Sequence, residues 1–137
     1  RRSSDLAKTY LAINNSNNII LGYYSLCPAS IEFERTPELI KHGLARHDIP
    51  VFKLARLATD LSVQGKGLGG QLLLAAGRRC LSVASELGGV ALLIDAKNER
   101  VANWYISYGA IPLLDTPLSL LISFKTIYTA LSMANKI

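Results

Sequence analysis

The sequence predicts a mixed α/β domain, with a mostly antiparallel sheet of about six to seven strands flanked by helices and one βαβ unit within it. Three observations carry that prediction. Roughly fifty residues at the start read as β-hairpins rather than βα units. A glycine-rich turn, Gln64-Gly65-Lys66-Gly67-Leu68-Gly69-Gly70, then joins an apolar, β-branched segment to a run with helical spacing. Finally, Val90 to Asp95 is almost continuously apolar, as a strand buried on both faces must be.

Taken in order, Arg1 to Asp5 is polar and expected to fray. Leu6 to Asn14 reads as a strand, Asn15 to Asn18 as a turn, and Ile19 to Leu26 as the antiparallel partner. Ser30 to Glu34 either extends that pairing or starts another strand. Thr36 as cap, Pro37 at the first helical position and Gly43 at the end mark a short helix. Leu44 to Pro50 is a loop, and His42 and His47 are expected on the surface. Val51 to Val63 is the central strand. From Gly69 to Gly88 the spacing predicts a helix that buries Leu72, Ala76, Cys80, Val83 and Leu87 and turns Arg78, Arg79, Ser82 and Glu86 outward. Gly88-Gly89 ends it, and Val90 to Asp95 completes a strand–helix–strand unit. Glu99 to Tyr108 is a second helix stopped by Gly109. Ala110 to Leu114 and Leu118 to Phe124 read as closing strands around Asp115-Thr116-Pro117, and Ile127 to Met133 as a terminal turn or tail.

A chain of 137 residues, half of them hydrophobic, suits a single domain spanning residues 1–137. Cys27 and Cys80 stand far apart, form no metal spacing and suit a reducing cytoplasm. With no signal peptide and no apolar run of membrane-spanning length, a cytoplasmic location with no membrane partner is expected. The net charge of +5 favours an anionic partner such as a nucleotide or RNA.

The glycine-rich turn is a socket for phosphate or pyrophosphate, because glycines admit close backbone approach and a helix start offers free N–H groups. A Walker A loop needs Ser or Thr after Gly-Lys, and Gly67 stands there instead. Gly65, Gly67 and Gly70 satisfy the G-x-G-x-x-G dinucleotide fingerprint, with Asp95 following, but the hairpins upstream and the short chain count against a Rossmann sheet. A third pattern, Gln-x-x-Gly-x-Gly, is filled by Gln64, Gly67 and Gly69.

With Leu57-Ala58-Thr59 upstream, this third pattern resembles the coenzyme A loop of GNAT-type N-acetyltransferases. The order of elements matches such a domain from Leu6 to Phe124, with the initial helices absent or truncated. More particular stretches are Gly22-Tyr23-Tyr24-Ser25-Leu26, Arg56 before Leu57-Ala58, Gln64 to Gly69, Asp95-Ala96 and Trp104-Tyr105. Together they resemble the acetyltransferase toxins of bacterial type II toxin–antitoxin modules. That resemblance implies acetyl-CoA as cosubstrate with no metal, and an aminoacyl-tRNA α-amino group as acceptor, whose acetylation blocks translation. It also implies a ribbon-helix-helix antitoxin that binds operator DNA, and a homodimer.

The expected site follows from both lines of reasoning. Gln64, Gly65, Lys66, Gly67, Leu68, Gly69 and Gly70 hold the diphosphate, and the edge at Leu57, Ala58 and Thr59 pairs with the amides of the pantetheine arm. An N–H beside Leu57 can stabilise the tetrahedral oxyanion. Spacing alone makes Tyr105 a core aromatic; the resemblance makes it the general acid for the departing thiolate. Asn98 has two readings, a contact to the cofactor arm or a helix cap. Asp60 and Asp95 are the available bases, yet an α-amine of pKa ~8 is partly neutral near pH 7 without one. Arg1, Arg2, Arg35, Arg46, Arg78 and Arg79 are the tRNA candidates. Competing readings are an N-acetyltransferase for a small amine or a protein amino group, a non-catalytic coenzyme A-binding regulator, and a small NAD-binding protein.

Overall fold

The computed structural model describes residues 7–133, so Arg1 and Arg2 lie outside the described residues. Strands β1 (Lys8–Ile13) and β2 (Ile20–Ile31) form the first hairpin. Asn14 and Asn17 accept hydrogen bonds from the amides of Ser16 and Ile19, and Asn18 takes a φ of 61°, a conformation asparagine tolerates. Strand β2 runs on through Ser30 to Ile31, whereas Phe33–Arg35 is a 3-10 turn. Thr36 does not cap the short helix α1 (Glu38–Lys41); its hydroxyl donates to the Glu32 carbonyl at 2.9 Å and closes the preceding turn, leaving Pro37 at the cap position.

Strand β3 (Ile49–Thr59) starts earlier and ends earlier than predicted. It stops because the Asp60 carboxylate accepts from the Ser62 amide at 3.0 Å and winds Leu61–Val63 into a 3-10 turn. Helix α2 (Leu68–Leu87) buries Leu72, Leu73, Ala76, Gly77 and Cys80. Val83 and Leu87, expected inside, are 37% and 81% exposed, because the buried stripe follows Leu73 and Gly77 instead. That stripe is covered by helix α4 (Phe124–Met133), where a turn or tail was expected. A Cβ on Gly77 would lie 2.8 Å from Cγ2 of Ile127, so only glycine lets the two helices approach this closely.

Strand β4 (Ala91–Asp95) is buried on both faces, helix α3 (Glu99–Ile106) follows, and β5 (Ile111–Pro112) pairs with β6 (Ser119–Ser123). The sheet order is β1-β2-β3-β4-β6-β5, parallel only between β3 and β4. One face carries the larger core, built from α2, α3 and α4 with Leu54, Leu92, Ile94, Leu120 and Ile122. The other holds a smaller cluster of Ile31, Ile40, Ile49, Val51, Leu93 and Leu121.

The sheet is therefore two antiparallel three-stranded halves joined by one short parallel seam, Val51↔Ala91 to Leu54↔Ile94. Beyond it the halves part. Strand β3 continues along β2, with Leu57 opposite Tyr24 and Thr59 opposite Gly22. The chain after β4 stays with the β6 side, where the Ala96 amide donates to the Leu118 carbonyl at 2.8 Å. A register shift opposite Ser25/Leu26 makes Ala55 an extra residue on β3, a bulge that bends the strand away from its parallel neighbour.

Candidate active site

The parting of β3 from β4 leaves one edge of Leu57-Ala58-Thr59 without a strand partner. That edge leads to the glycine-rich turn. Gln64 ties the turn back, its Nε2 donating to the Thr59 carbonyl at 3.3 Å. Gly65 and Gly67 take φ of 78° and 87°, and a Cβ on either would meet nothing within 4 Å, so the backbone there is open to an approaching ligand. Gly67 caps α2 without a side-chain bond, and the first internal helix bond runs from the Gln71 amide to the Gly67 carbonyl at 3.2 Å. The amides of Leu68, Gly69 and Gly70 therefore have no partner among the described residues and converge at the positive end of a 20-residue helix. Lys66 is exposed beside them.

Gly69 and Gly70 serve a second purpose. A Cβ on Gly69 would touch the Trp104 ring at 3.4 Å, and one on Gly70 would collide with the Tyr108 hydroxyl. These glycines let α3 press its aromatic face onto the first turn of α2. Trp104 contacts Tyr105 and Tyr108, each with ring centroids 4.9 Å apart. Gly70→Ala is thus expected to destabilise the fold by about 1–3 kcal/mol through overpacking. Tyr108→Phe, which removes the colliding oxygen, should recover part of that loss in a double-mutant cycle of thermal unfolding.

Tyr105 is buried in the same core that Leu57 and Leu68 pack against. Its hydroxyl bonds to no other described residue. No side-chain oxygen or nitrogen among the described residues is both shielded from solvent and unpaired, so the tip of the phenol opens onto accessible space. Burial pushes its pKa above the ordinary value, which keeps the proton on the oxygen at neutral pH. Asn98 caps α3, accepting from the Val101 amide at 2.9 Å, which satisfies the simpler of its two readings.

Neither acidic candidate is poised as a base. The hydroxyl and amide of Ser62 hold the Asp60 carboxyl below its usual range. Burial pushes Asp95 upward, but the Ser119 hydroxyl at 2.7 Å and Lys53 at 3.1 Å outweigh it and the net shift is downward. A lowered folded-state pKa stabilises the fold above the unfolded carboxylate pKa of ~3.9, and that contribution is lost as pH falls through the folded value. In melting curves below about pH 4, Asp95→Asn is therefore expected to show a shallower acid loss of stability than the parent.

Among the expected tRNA contacts, Arg35, Arg46 and Arg79 are engaged internally. Arg35 donates to Asp115 and Thr116 at 3.1 Å and clasps the β5–β6 connection. Arg46 faces Glu34 at 3.7 Å. Arg79, exposed as expected, also lies 3.8 Å over the Tyr10 ring and donates to the Tyr24 hydroxyl at 3.1 Å. Arg78 is exposed beside a cavity of about 590 Å³ between α2 and α4, away from the glycine-rich turn. Cys27 and Cys80 are buried, and burial raises the Cys80 thiol to about 12, leaving it inert. Among the described residues no cluster suits a metal ion, and no helix is long and apolar enough to cross a membrane.

No family model matches the chain. A tRNA-acetylating toxin of Mycobacterium tuberculosis is 30% identical over 106 residues, which cover 77% of this chain and 63% of that protein. The chain thus spans a little under two thirds of that curated relative. The structure of AtaT complexed with acetyl-methionyl-tRNAfMet superposes with a TM-score of 0.85 at 29% identity, over 93% of this chain and 76% of that one. AtaTR bound with acetyl-CoA gives a TM-score of 0.77 at 31% identity, over 93% and 76% of the two chains. AtaT has also been solved in complex with AtaR on DNA. By fold, by sequence and by the share of those structures it covers, the chain belongs to the GNAT-fold family of tRNA-acetylating toxins.

Proposed function

We propose that this chain is a single GNAT domain that transfers acetyl from acetyl-CoA to the α-amino group of an aminoacyl-tRNA, acting as a toxin that blocks translation. The observation that carries the reading is the parted sheet. One unpaired strand edge, Leu57 to Thr59, runs from the free amides opening α2 towards the core position of Tyr105. A diphosphate fits the amides and the open Gly65-to-Gly67 backbone, and the two amides of a pantetheine arm fit the strand edge. The thioester then lies where a β3 amide can stabilise the oxyanion and the Tyr105 phenol can protonate the leaving thiolate. The acceptor amine attacks directly, in a ternary complex, needing no dedicated base at pKa ~8.

The partners follow the relatives. AtaT is solved with acetyl-methionyl-tRNAfMet, with acetyl-CoA, and with the antitoxin AtaR. By the same pattern this chain pairs with an antitoxin that bridges it to DNA; our reading adds that this antitoxin is a small ribbon-helix-helix protein, that the chain forms a homodimer, and that it works in the cytoplasm. Radiolabelled acetyl-CoA, offered with total charged tRNA in parallel with polyamines and peptides, tests the substrate. Label entering aminoacyl-tRNA is the expected result; label confined to polyamines or peptides would replace this reading with a small-amine or protein acetyltransferase.

A further inference from the structure

The bulge on β3 has a consequence for one side chain. Leu54 and Leu57 both pack against the α2-side core although they are three positions apart. Simple alternation would put them on opposite faces. The extra residue, Ala55, reconciles this, and both Ala55 and Arg56 therefore face away from α2 and are exposed. Arg56 stands just past the last rung of the seam, Leu54↔Ile94, at the mouth of the cleft between the two halves. It has no hydrogen-bonding, ionic or aromatic partner among the described residues.

On the same face Lys53 is neutralised by Asp95 at 3.1 Å. Across the gap, the connection leaving β4 carries Lys97 and the first turn of α3 carries Arg100, both exposed and without partners among the described residues, with Glu99 as the acidic neighbour. Of the arginines named as tRNA candidates, Arg35 and Arg79 are by contrast held by Asp115 and Tyr24, and Arg46 faces Glu34 at 3.7 Å. Arg56, Lys97 and Arg100 are thus three exposed cations that follow the last rung of the seam on its two strands.

We infer that Arg56, presented by the β3 bulge, binds a backbone phosphate of the acceptor strand and so sets the preference for a polynucleotide-borne amine over a free one. This rests on the tRNA reading above and extends it to a residue. The bulge gives Arg56 a role distinct from the cofactor edge that follows it. Its side chain lies on the sheet face away from α2, and its rigid planar fork can grip a phosphate bidentately.

The test compares charged tRNA with a phosphate-free acceptor, 3′-aminoacyl-adenosine, at several salt concentrations. For Arg56→Ala the KM for charged tRNA is expected to rise about tenfold with kcat little changed, and the log–log salt slope to flatten by roughly one contact, 0.7–0.9. Acetylation of aminoacyl-adenosine should be unaffected, and Arg56→Lys should restore part of the loss. An unchanged KM for charged tRNA, or an equal rise with aminoacyl-adenosine, overturns the inference while the tRNA reading stands. Failure of the parent protein to acetylate any charged tRNA overturns both.

Discussion

Tyr105→Phe is expected to slow acetyl transfer by about 10²–10⁴-fold while leaving acetyl-CoA affinity and thermal stability nearly unchanged. The ring, buried against Trp104, is retained. The hydroxyl that is lost bonds to no other described residue, so its removal orphans nothing in the fold. On the proposed role, only the proton for the departing thiolate disappears. The same burial that raises the phenol pKa fixes the sign of the pH dependence: a general acid is lost as pH rises through its pKa. The alkaline limb set by Tyr105 should therefore fall above the ordinary tyrosine value of ~10. Single-turnover rates across pH, set beside calorimetric acetyl-CoA binding, separate this loss of chemistry from loss of binding. A variant with full turnover would place the acid elsewhere.

The second large effect is expected at Gly67, where fold and function respond differently. Aspartate tolerates a left-handed backbone better than most residues, and a carboxylate at a helix start is favourable by about 0.3–1 kcal/mol. Gly67→Asp should therefore melt within a few degrees of the parent. Yet its charge stands at the amides that would receive a diphosphate. Two like charges ~4 Å apart repel by about 4 kcal/mol at an effective dielectric of 20, so acetyl-CoA affinity should fall by about 10- to 10³-fold. Thermal shift reads this directly. Saturating acetyl-CoA at about 100 times Kd stabilises the parent by ~2.7 kcal/mol, and the same concentration should stabilise the variant by ~1.4 kcal/mol or less. Stabilisation of the parent by NAD but not by acetyl-CoA would restore the dinucleotide reading.

Local patterns made much of this fold legible. The asparagine turn, the apolar run of β4 and the glycine-rich junction each carry their structural reason within a few residues. Helix α4 was missed because β6 passes into it with no glycine or proline between them. The signal was Ser123, whose hydroxyl accepts from the Thr126 amide at 3.1 Å as a cap, followed by Phe124, Ile127 and Leu131 at helical spacing. The β3 bulge left no local signature, because an extra residue is defined only against its partner strand. Arginine partners were illegible for a related reason: Arg35 meets Asp115 across 80 positions and Arg79 meets Tyr24 across 55. In the candidate site, residue pattern marked the turn, whereas Tyr105 stood out only through the resemblance. The pattern did not show that two of the turn's glycines make room for aromatic rings rather than for a ligand.

The four rungs of the seam carry a further consequence. They are where β3 of one set pairs with β4 of the other, and they stop where a guest molecule would have to begin. Such a guest would continue the stitching, lending its own amides where the protein's run out. The protein's own weave stops short there, and the small molecule proposed to supply the acetyl group would carry the thread on.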